Sequence, residues 1–538
     1  MHPVQNVAKH FKSEENVSNK SIAVITIVST SLWMIVVHGM RLFALAFSHD
    51  SLFIDRTADF GWQIEIGRYA QPVYQTLTGG ITSPLFAGCL SALYIAGISL
   101  CLMKLFHLRS YAFAIGFSGC LIASQPIISL CGVYIEHFDV FMLSLLLACV
   151  STCLVLEERS TKHWALSAVL LAISVALYQS FAAAFAGLLI MKCMFRLLDG
   201  ESLKEVLSSI VYAGVVAASG AVVYIVGLKI SLAVAGVQLA NTYNSVGSVS
   251  CMNFGSVLGL IAGCYIDFLR YFFSFHGYNT PLISAANGLI LVLAAIIAIR
   301  YGKGKELHPS SWVTCVVLFL LLPLALNCGY ILSGGYSYEV TRTPFVLSYI
   351  ILFWMLNSIG SVKLIGRKRK RASHLTSLVG VVCALAVLWN GIVYAQGYYV
   401  LRLNTINATE HTVNRIIDRV ETTDGYLVGE TPVVFVGRLS DNNLGSYTPS
   451  GFERYYETEC RDYPGDSPIS YGLTLQPYFS FIMNYPINVC LDNDGRYANV
   501  IDSETVKKMD PFPAESSCKM VDGVMIVKLS DTRNSPTE

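Results

Sequence analysis

SIAVITIVSTSLWMIVVHGM, Ser21 to Met40, runs for twenty residues without an Asp, Glu, Lys or Arg. A helix rises about 1.5 Å per residue, so a run of this length covers the ~30 Å of bilayer hydrocarbon. It is too long for the apolar part of a signal peptide, and no small-residue cleavage pattern follows it. A retained spanning helix is therefore expected, and the N-terminus as written is expected to be the mature one.

Runs of the same kind recur along residues 1–396 of a 538-residue chain that is 54% hydrophobic and 14% charged. Spans are predicted near residues 21–40, 82–101, 111–131, 138–156, 164–177, 180–195, 207–236, 281–299, 312–333, 345–362 and 375–395, eleven in all. The fifth and sixth are short enough to be tilted or only partly spanning. Continuous apolar runs predict an all-α polytopic bundle of about eleven transmembrane helices and argue against a barrel, whose strands alternate apolar with polar.

Lys and Arg are retained in cytoplasmic loops, and they divide unevenly here. One set of alternate segments carries Lys9, Lys12, Lys20, Lys104, Arg109, Arg159, Lys162, Lys192, Arg196, Lys204, Arg300, Lys303, Lys305 and the six cations of KLIGRKRKR, nineteen together. The other set, leaving aside the tail and Lys229 inside the seventh span, carries five: Arg41, Arg56, Arg68, Arg270 and Arg342. The N-terminus is therefore expected in the cytoplasm, and with an odd number of spans everything after about residue 396 is expected on the outer side. RKRKR reads as an orientation anchor rather than a lipid-headgroup site. The formal net charge of +1 identifies no partner; membrane lipids are the expected surroundings, and no nucleic acid is expected.

Residues 397–538 contain no spanning run and predict a small outer α/β domain, set apart from a membrane domain of residues 1–396. NATEHTVNRIIDRVE (407–421) has the spacing of an amphipathic helix, while TPVVFVGRL (431–439) and GVMIVKLS (523–530) are rich in β-branched residues. Of fifteen cysteines, twelve lie in or near apolar spans, where a thiol behaves as a small buried hydrophobe. Cys460, Cys490 and Cys518 belong to the tail, where an oxidising compartment predicts one disulfide between two of the three.

The chain has no Walker A loop, no HExxH, no GxSxG and no paired CxxC with zinc-like spacing. What remains is polar residues at or just beyond the outer ends of the spans, where charge is costly enough to mark function. SLFIDRTADFGWQIEIGRYAQPVY (51–74) supplies Asp55, Arg56, Asp59, Glu65 and Arg68, with Trp62, Tyr69 and Tyr74 as interfacial anchors or sugar platforms. CGVYIEHFDV (131–140) supplies Glu136, His137 and Asp139, and LYQSF (177–181) supplies Tyr178 and Gln179. A long outer segment holds Asn241, Asn244 and Asn253, then an amphipathic interfacial stretch with Asp267, Arg270, Tyr271 and His276, in which Asp267 and Arg270 are spaced for an i, i+3 ion pair. GGYSYEVTRTPF (334–345) adds Tyr338, Glu339 and Arg342.

Acids, arginines and aromatics converging on one face suit a reaction between a sugar on a lipid phosphate and a hydroxyl acceptor. A carboxylate, kept ionised by flanking arginines, would accept the hydroxyl proton, and aromatic or amide groups would hold the sugar. Arg suits the departing phosphate because its planar fork binds two oxygens, and with arginine supplying the charge no metal is demanded.

An acid in the first outer loop, then GRYAQPVY (67–74), then YQSF (178–181) between two short apolar segments resembles, by order and topology more than by any one motif, the Gtr-type membrane glucosyltransferases that modify bacterial lipopolysaccharide O-antigen. DPFPAESSCKMVDGVMIVKLS (510–530) is similar to that family's closing pattern. The resemblance implies a GT-C fold in the bacterial inner membrane with its site on the periplasmic face and no cofactor. It implies an inverting transfer of glucose from undecaprenyl-phosphate glucose to O-antigen polysaccharide, a serotype-converting change, with a flippase and a polyprenyl-phosphate glucose synthase as partners.

Carried over by residue, Asp55 matches the first-loop acid and is the expected base. Relatives carry two adjacent acids there, whereas Asp55 is followed by Arg56, so Asp59 and Glu136 stay beside it as catalytic candidates. Arg68 matches the GR element, and Tyr178 and Gln179 match the YQSF turn. Arg56, Tyr69, Asp139, Tyr271, His276 and Arg342 complete the expected substrate-binding set, Arg342 being assigned to phosphate on chemistry and position. Rival readings are transfer of mannose, aminoarabinose or another sugar, a lipid-linked saccharide flippase, and an O-antigen polymerase. Spans almost free of central charge, without mirrored halves, argue against the flippase, and the polymerase would not need such a tail.

Overall fold

The computed structural model describes residues 17–44, 50–52, 55–57, 60–157, 159–240, 254–275, 277–335, 337–359, 367–437, 455, 472–490 and 495–531. Asp59, Asn241, Asn244, Asn253, His276 and Cys460 lie outside the described residues. The helices used below are α1 (Asn19–Phe43), α2 (Ala70–Leu77), α3 (Pro84–Leu105), α4 (Tyr111–Ile122), α5 (Gln125–Val133), α6 (Ile135–Glu157), α7 (Thr161–Leu177), α8 (Ala182–Leu198), α9 (Leu203–Ala235), α10 (Phe254–Phe273), α11 (Pro281–Gly304), α12 (Pro309–Leu326), α13 (Glu339–Arg342), α14 (Ile350–Ile359) and α15 (Arg367–Glu421).

Among the described residues, nine helical segments are long and apolar enough to cross a membrane: α1, α3, α6, Gln179–Leu198, α9, α11, α12, Glu339–Ile359 and Leu375–Glu421. The chain is a polytopic helical membrane protein. The third expected span is not one rod, since α4 and α5 meet at 53°. Pro126 in the first turn of α5 lacks an N–H and cannot continue the preceding helix. The break frees the Ala123 carbonyl, which accepts the Tyr278 hydroxyl at 2.9 Å. Gly391 of α15 passes so close to that oxygen that a Cβ would come within 1.9 Å of it.

The short fifth span, α7, is held by small polar residues rather than length. Ser144 and Ser174 donate to each other's carbonyls at 2.8 and 2.7 Å, and Ser151 and Ser167 do the same at 3.0 and 2.9 Å. Small hydroxyl residues let two helix backbones approach and join without leaving a buried polar group unmet. Helix starts follow the sequence in the same way: Ser18, Ser160 and Ser202 each cap the helix they precede.

The final span continues as α15 through residue 396 to Glu421, 55 residues in all. Its last turns carry Val413, Ile416 and Val420, which pack with Val433, Met525, Val527, Tyr478 and Phe479 in the core of the tail. The tail's strands are β1 (Pro432–Val436), β2 (Asn488–Val489), β3 (Cys518–Val521) and β4 (Val524–Lys528), in the order β2-β1-β4-β3. β1 runs parallel to both neighbours, and β3 pairs antiparallel with β4 through the Asp522–Gly523 turn. The expected disulfide is not formed by Cys490 or Cys518, both of which are free thiols. Leu52, from the segment after α1, is fully buried in this same core, so the tail grips the segment that follows α1.

Candidate active site

The polar segment that follows α1 is fixed at several points. Asp55 bridges Ile81, and the Arg56 amide donates to the Gly80 carbonyl at 2.9 Å. The Asp55 side chain is exposed, and its Oδ1 accepts from the Thr57 hydroxyl at 2.5 Å and the Thr57 amide at 2.8 Å. These two bonds, the hydroxyl first, hold its carboxyl below the usual carboxylate range. It is therefore ionised at neutral pH.

Helix α2 is inside out by the standards of a soluble protein. Gln71 and Gln75 are fully buried, donating to the Leu177 carbonyl at 2.7 Å and pairing with His137 Nδ1 at 3.2 Å, while Val73 and Leu77 are 62% and 80% exposed. An apolar outer face with a polar inner one is the pattern expected where the surroundings are lipid.

Arg56 and Asp139 face each other rather than open space. Their side chains are 2% and 0% exposed, and the guanidinium meets the carboxylate at 2.8 and 3.4 Å. Tyr74 donates to the same carboxylate at 3.0 Å. The pair, expected to meet substrate, braces the first segment against α6. Glu136, one turn earlier in α6, is also buried and interacts electrostatically with the buried Arg41 of α1.

The GR element and the YQSF turn, 110 residues apart, close on one another. The Arg68 guanidinium lies 4.6 Å from the centre of the Tyr178 ring, a cation–π contact. Gln179 donates to the Ile66 carbonyl at 2.8 Å, and Tyr224 donates to the Gly67 carbonyl at 2.9 Å. Tyr69 stacks on Tyr224 at 5.7 Å and donates to its carbonyl. The Tyr178 hydroxyl is 2.5 Å from that of Tyr338, which carries the network into the segment that leads to α13.

Beside that segment lies a cavity of about 520 Å³, lined among others by Gln125, Asp267, Arg270, Tyr271, Tyr330, Ser337 and Arg342. Asp267 is paired with Arg342, at 2.7 and 3.1 Å, and not with Arg270 as its spacing predicts. Asn327 donates to its other oxygen at 3.0 Å. Arg342, the last residue of α13, reaches the carboxylate with two guanidinium nitrogens, a cation from another element taking the place of the i+3 neighbour. The Asp267 and Arg342 side chains are only 8% and 13% exposed, so their attraction is weakly screened. Arg270 has no ion-pair partner among the described residues and leaves the cavity with a net positive charge. Gly263 lets Tyr330 form a wall, since a Cβ there would meet its ring at 2.6 Å.

Of the expected set, Tyr271 and Arg342 line this cavity, while Arg68, Tyr178, Gln179 and Tyr69 form the adjoining network. Arg56 with Asp139 and Glu136 are buried beneath it, and Asp55 is exposed on the first segment and does not line the cavity. Sequence reasoning missed Gln125, Tyr330 and Ser337. Gln125 stands inside an apolar run, and only the Pro126 that follows it marks a helix start there.

The family model described as Glucosyl transferase GtrII matches residues 39–397. The match begins within α1 and ends within α15, so it takes in the segment after α1, the YQSF turn and the cavity. No curated protein and no solved structure matches the chain.

Proposed function

Because the chain belongs to the GtrII glucosyl transferase family, we propose that it moves glucose from a polyprenyl-phosphate carrier, undecaprenyl-phosphate glucose, to a hydroxyl of O-antigen polysaccharide. The reaction takes place on the periplasmic face of the bacterial inner membrane. The observation that carries this reading is the cavity where Arg270, Arg342 and Asp267 meet phenol, hydroxyl and amide groups. A phosphate ester fits the net positive charge, and a hexose fits the uncharged polar walls.

In the transfer the acceptor oxygen attacks C1 of glucose as the C1–O bond to phosphate breaks, and the configuration at C1 inverts. The acceptor proton passes to the Asp55 carboxylate, and the bonding electrons leave with the polyprenyl phosphate. Arg342 and Arg270 stabilise that departing charge. Division of labour follows exposure: Asp55 is open to an acceptor arriving from water, while Arg342 is largely enclosed with Asp267 and Arg270 stands at the exposed side of the cavity.

The nineteen-to-five cation asymmetry supports the periplasmic placement. A donor used there has to be made on the cytoplasmic side and turned over, hence partnership with a polyprenyl-phosphate glucose synthase and a flippase. Purified protein given undecaprenyl-phosphate glucose and O-antigen, without nucleotide, is expected to add one hexose per modified repeat, read by mass spectrometry. Absence of transfer, or a mass increment other than a hexose, would overturn the reading.

A further inference from the structure

Two polar groups on the cavity wall have no hydrogen-bond partner among the described residues: Oε1 of Gln125, whose residue is only 3% exposed, and Oγ of Ser337. Buried acceptors and hydroxyls are nearly always paired, because leaving one unmade is costly. Two unmet groups on one cavity therefore point to a ligand or solvent that completes them.

Their chemistry narrows the ligand. A carboxamide oxygen only accepts, so it repels a bare phosphate and needs an O–H or N–H donor. A serine hydroxyl can donate or accept. Arg270, with no ion-pair partner among the described residues, leaves a net positive charge beside the Arg342–Asp267 pair on the same cavity, which suits an anion. A molecule satisfying all four carries hydroxyl groups close to a phosphate. An isoprenoid chain offers no donor, and inorganic phosphate carries no carbon-bound hydroxyls set apart from its charge.

Resting on the reading of the reaction given above, we propose that Gln125 and Ser337 are the residues that recognise hydroxyl groups of the hexose being transferred, with Gln125 accepting a hydrogen bond from one of them. Gln125 is placed for this by the bend at Pro126, which starts a new helix and sets residue 125 at the cavity instead of within a continuous span. Ser337 is placed by the turn leading into α13, whose Arg342 reaches Asp267.

The test is a matrix of donors against variants in the purified full-length protein, using undecaprenyl-phosphate glucose and its 2-, 3-, 4- and 6-deoxy forms. Wild-type protein is expected to lose roughly tenfold in kcat/KM at each deoxy position whose hydroxyl meets one of the two residues, the worth of one unmade bond to a buried group. Gln125→Leu should erase the penalty at one position alone, and Ser337→Ala at a different one. Should Gln125→Leu fail to fold, Gln125→Asn, which withdraws the oxygen by one methylene, should erase the same penalty. A uniform slowing of every donor, unchanged discrimination, or erasure confined to deoxy forms of the acceptor would overturn the assignment. Failure of wild-type protein to transfer any hexose would instead remove the underlying reaction.

Discussion

The polar segment that follows α1 and the cavity beside α10 are built in opposite ways. Residues 51–74 are contiguous, rich in charge and held from several sides, with Leu52 in the tail core, Arg56 against Asp139 and Gln71 and Gln75 against the bundle. That scaffold presents Asp55 to solvent. The cavity gathers residues from 125 to 342, encloses most of their charge, and leaves two polar groups unmet. Under the proposed reaction this difference is a division of labour, in which the exposed Asp55 handles the proton and the cavity handles the phosphate and sugar.

The largest test of that division is Asp55→Asn. With a general base removed and binding untouched, kcat is expected to fall about 10²- to 10⁴-fold, while donor affinity and membrane insertion stay as in wild type. Retained turnover would take Asp55 out of the proton transfer and collapse the contrast. Next comes the brace itself. Arg56→Ala leaves the Asp139 carboxylate buried without its cation, a loss of about 3–5 kcal/mol, read as lower thermal stability in detergent. Arg56→Met with Asp139→Leu should recover much of it, and a stable Arg56→Ala protein would show the pair to be peripheral.

On the cavity side, Arg342→Ala is expected to lower kcat/KM by about a hundredfold, the scale of one lost charge-stabilising donor. Arg342→Lys keeps the charge without the fork and should fall between. The smallest effect sharpens the electrostatics of the first segment. Thr57→Val removes the hydroxyl bond that, with the Thr57 amide, depresses the Asp55 pKa. The pKa then rises toward the ordinary carboxylate range, so the acid limb of the pH–rate profile moves to higher pH while activity near neutrality is kept. An unmoved acid limb would mean that another group titrates there.

These contrasts also explain what could be read without coordinates. Apolar length alone placed helices at each expected span, because backbone bonding in hydrocarbon leaves few alternatives. Two departures have local causes. Pro126 splits the third span, and the absence of proline between residues 396 and 421 lets the last span run on into the tail helix. The GR and YQSF elements stood out because each is a short run of unusual residues, and the structure brings Arg68 and Tyr178 together; Asp55 stood out in the same way but does not line the cavity. The cavity was not legible. Asp267 looked self-sufficient with Arg270 nearby, and only the tertiary structure brings Arg342, 75 residues on, to its carboxylate; Gln125 is one amide in an apolar run, given meaning by the bend behind it.

Donor binding separates the two regions most directly. Radiolabelled undecaprenyl-phosphate glucose, titrated onto purified Asp55→Asn and Arg342→Ala proteins in the same lipid, is predicted to bind the first as tightly as wild type and the second at least tenfold more weakly. Donor loss in Asp55→Asn, or undiminished affinity in Arg342→Ala, would contradict the account.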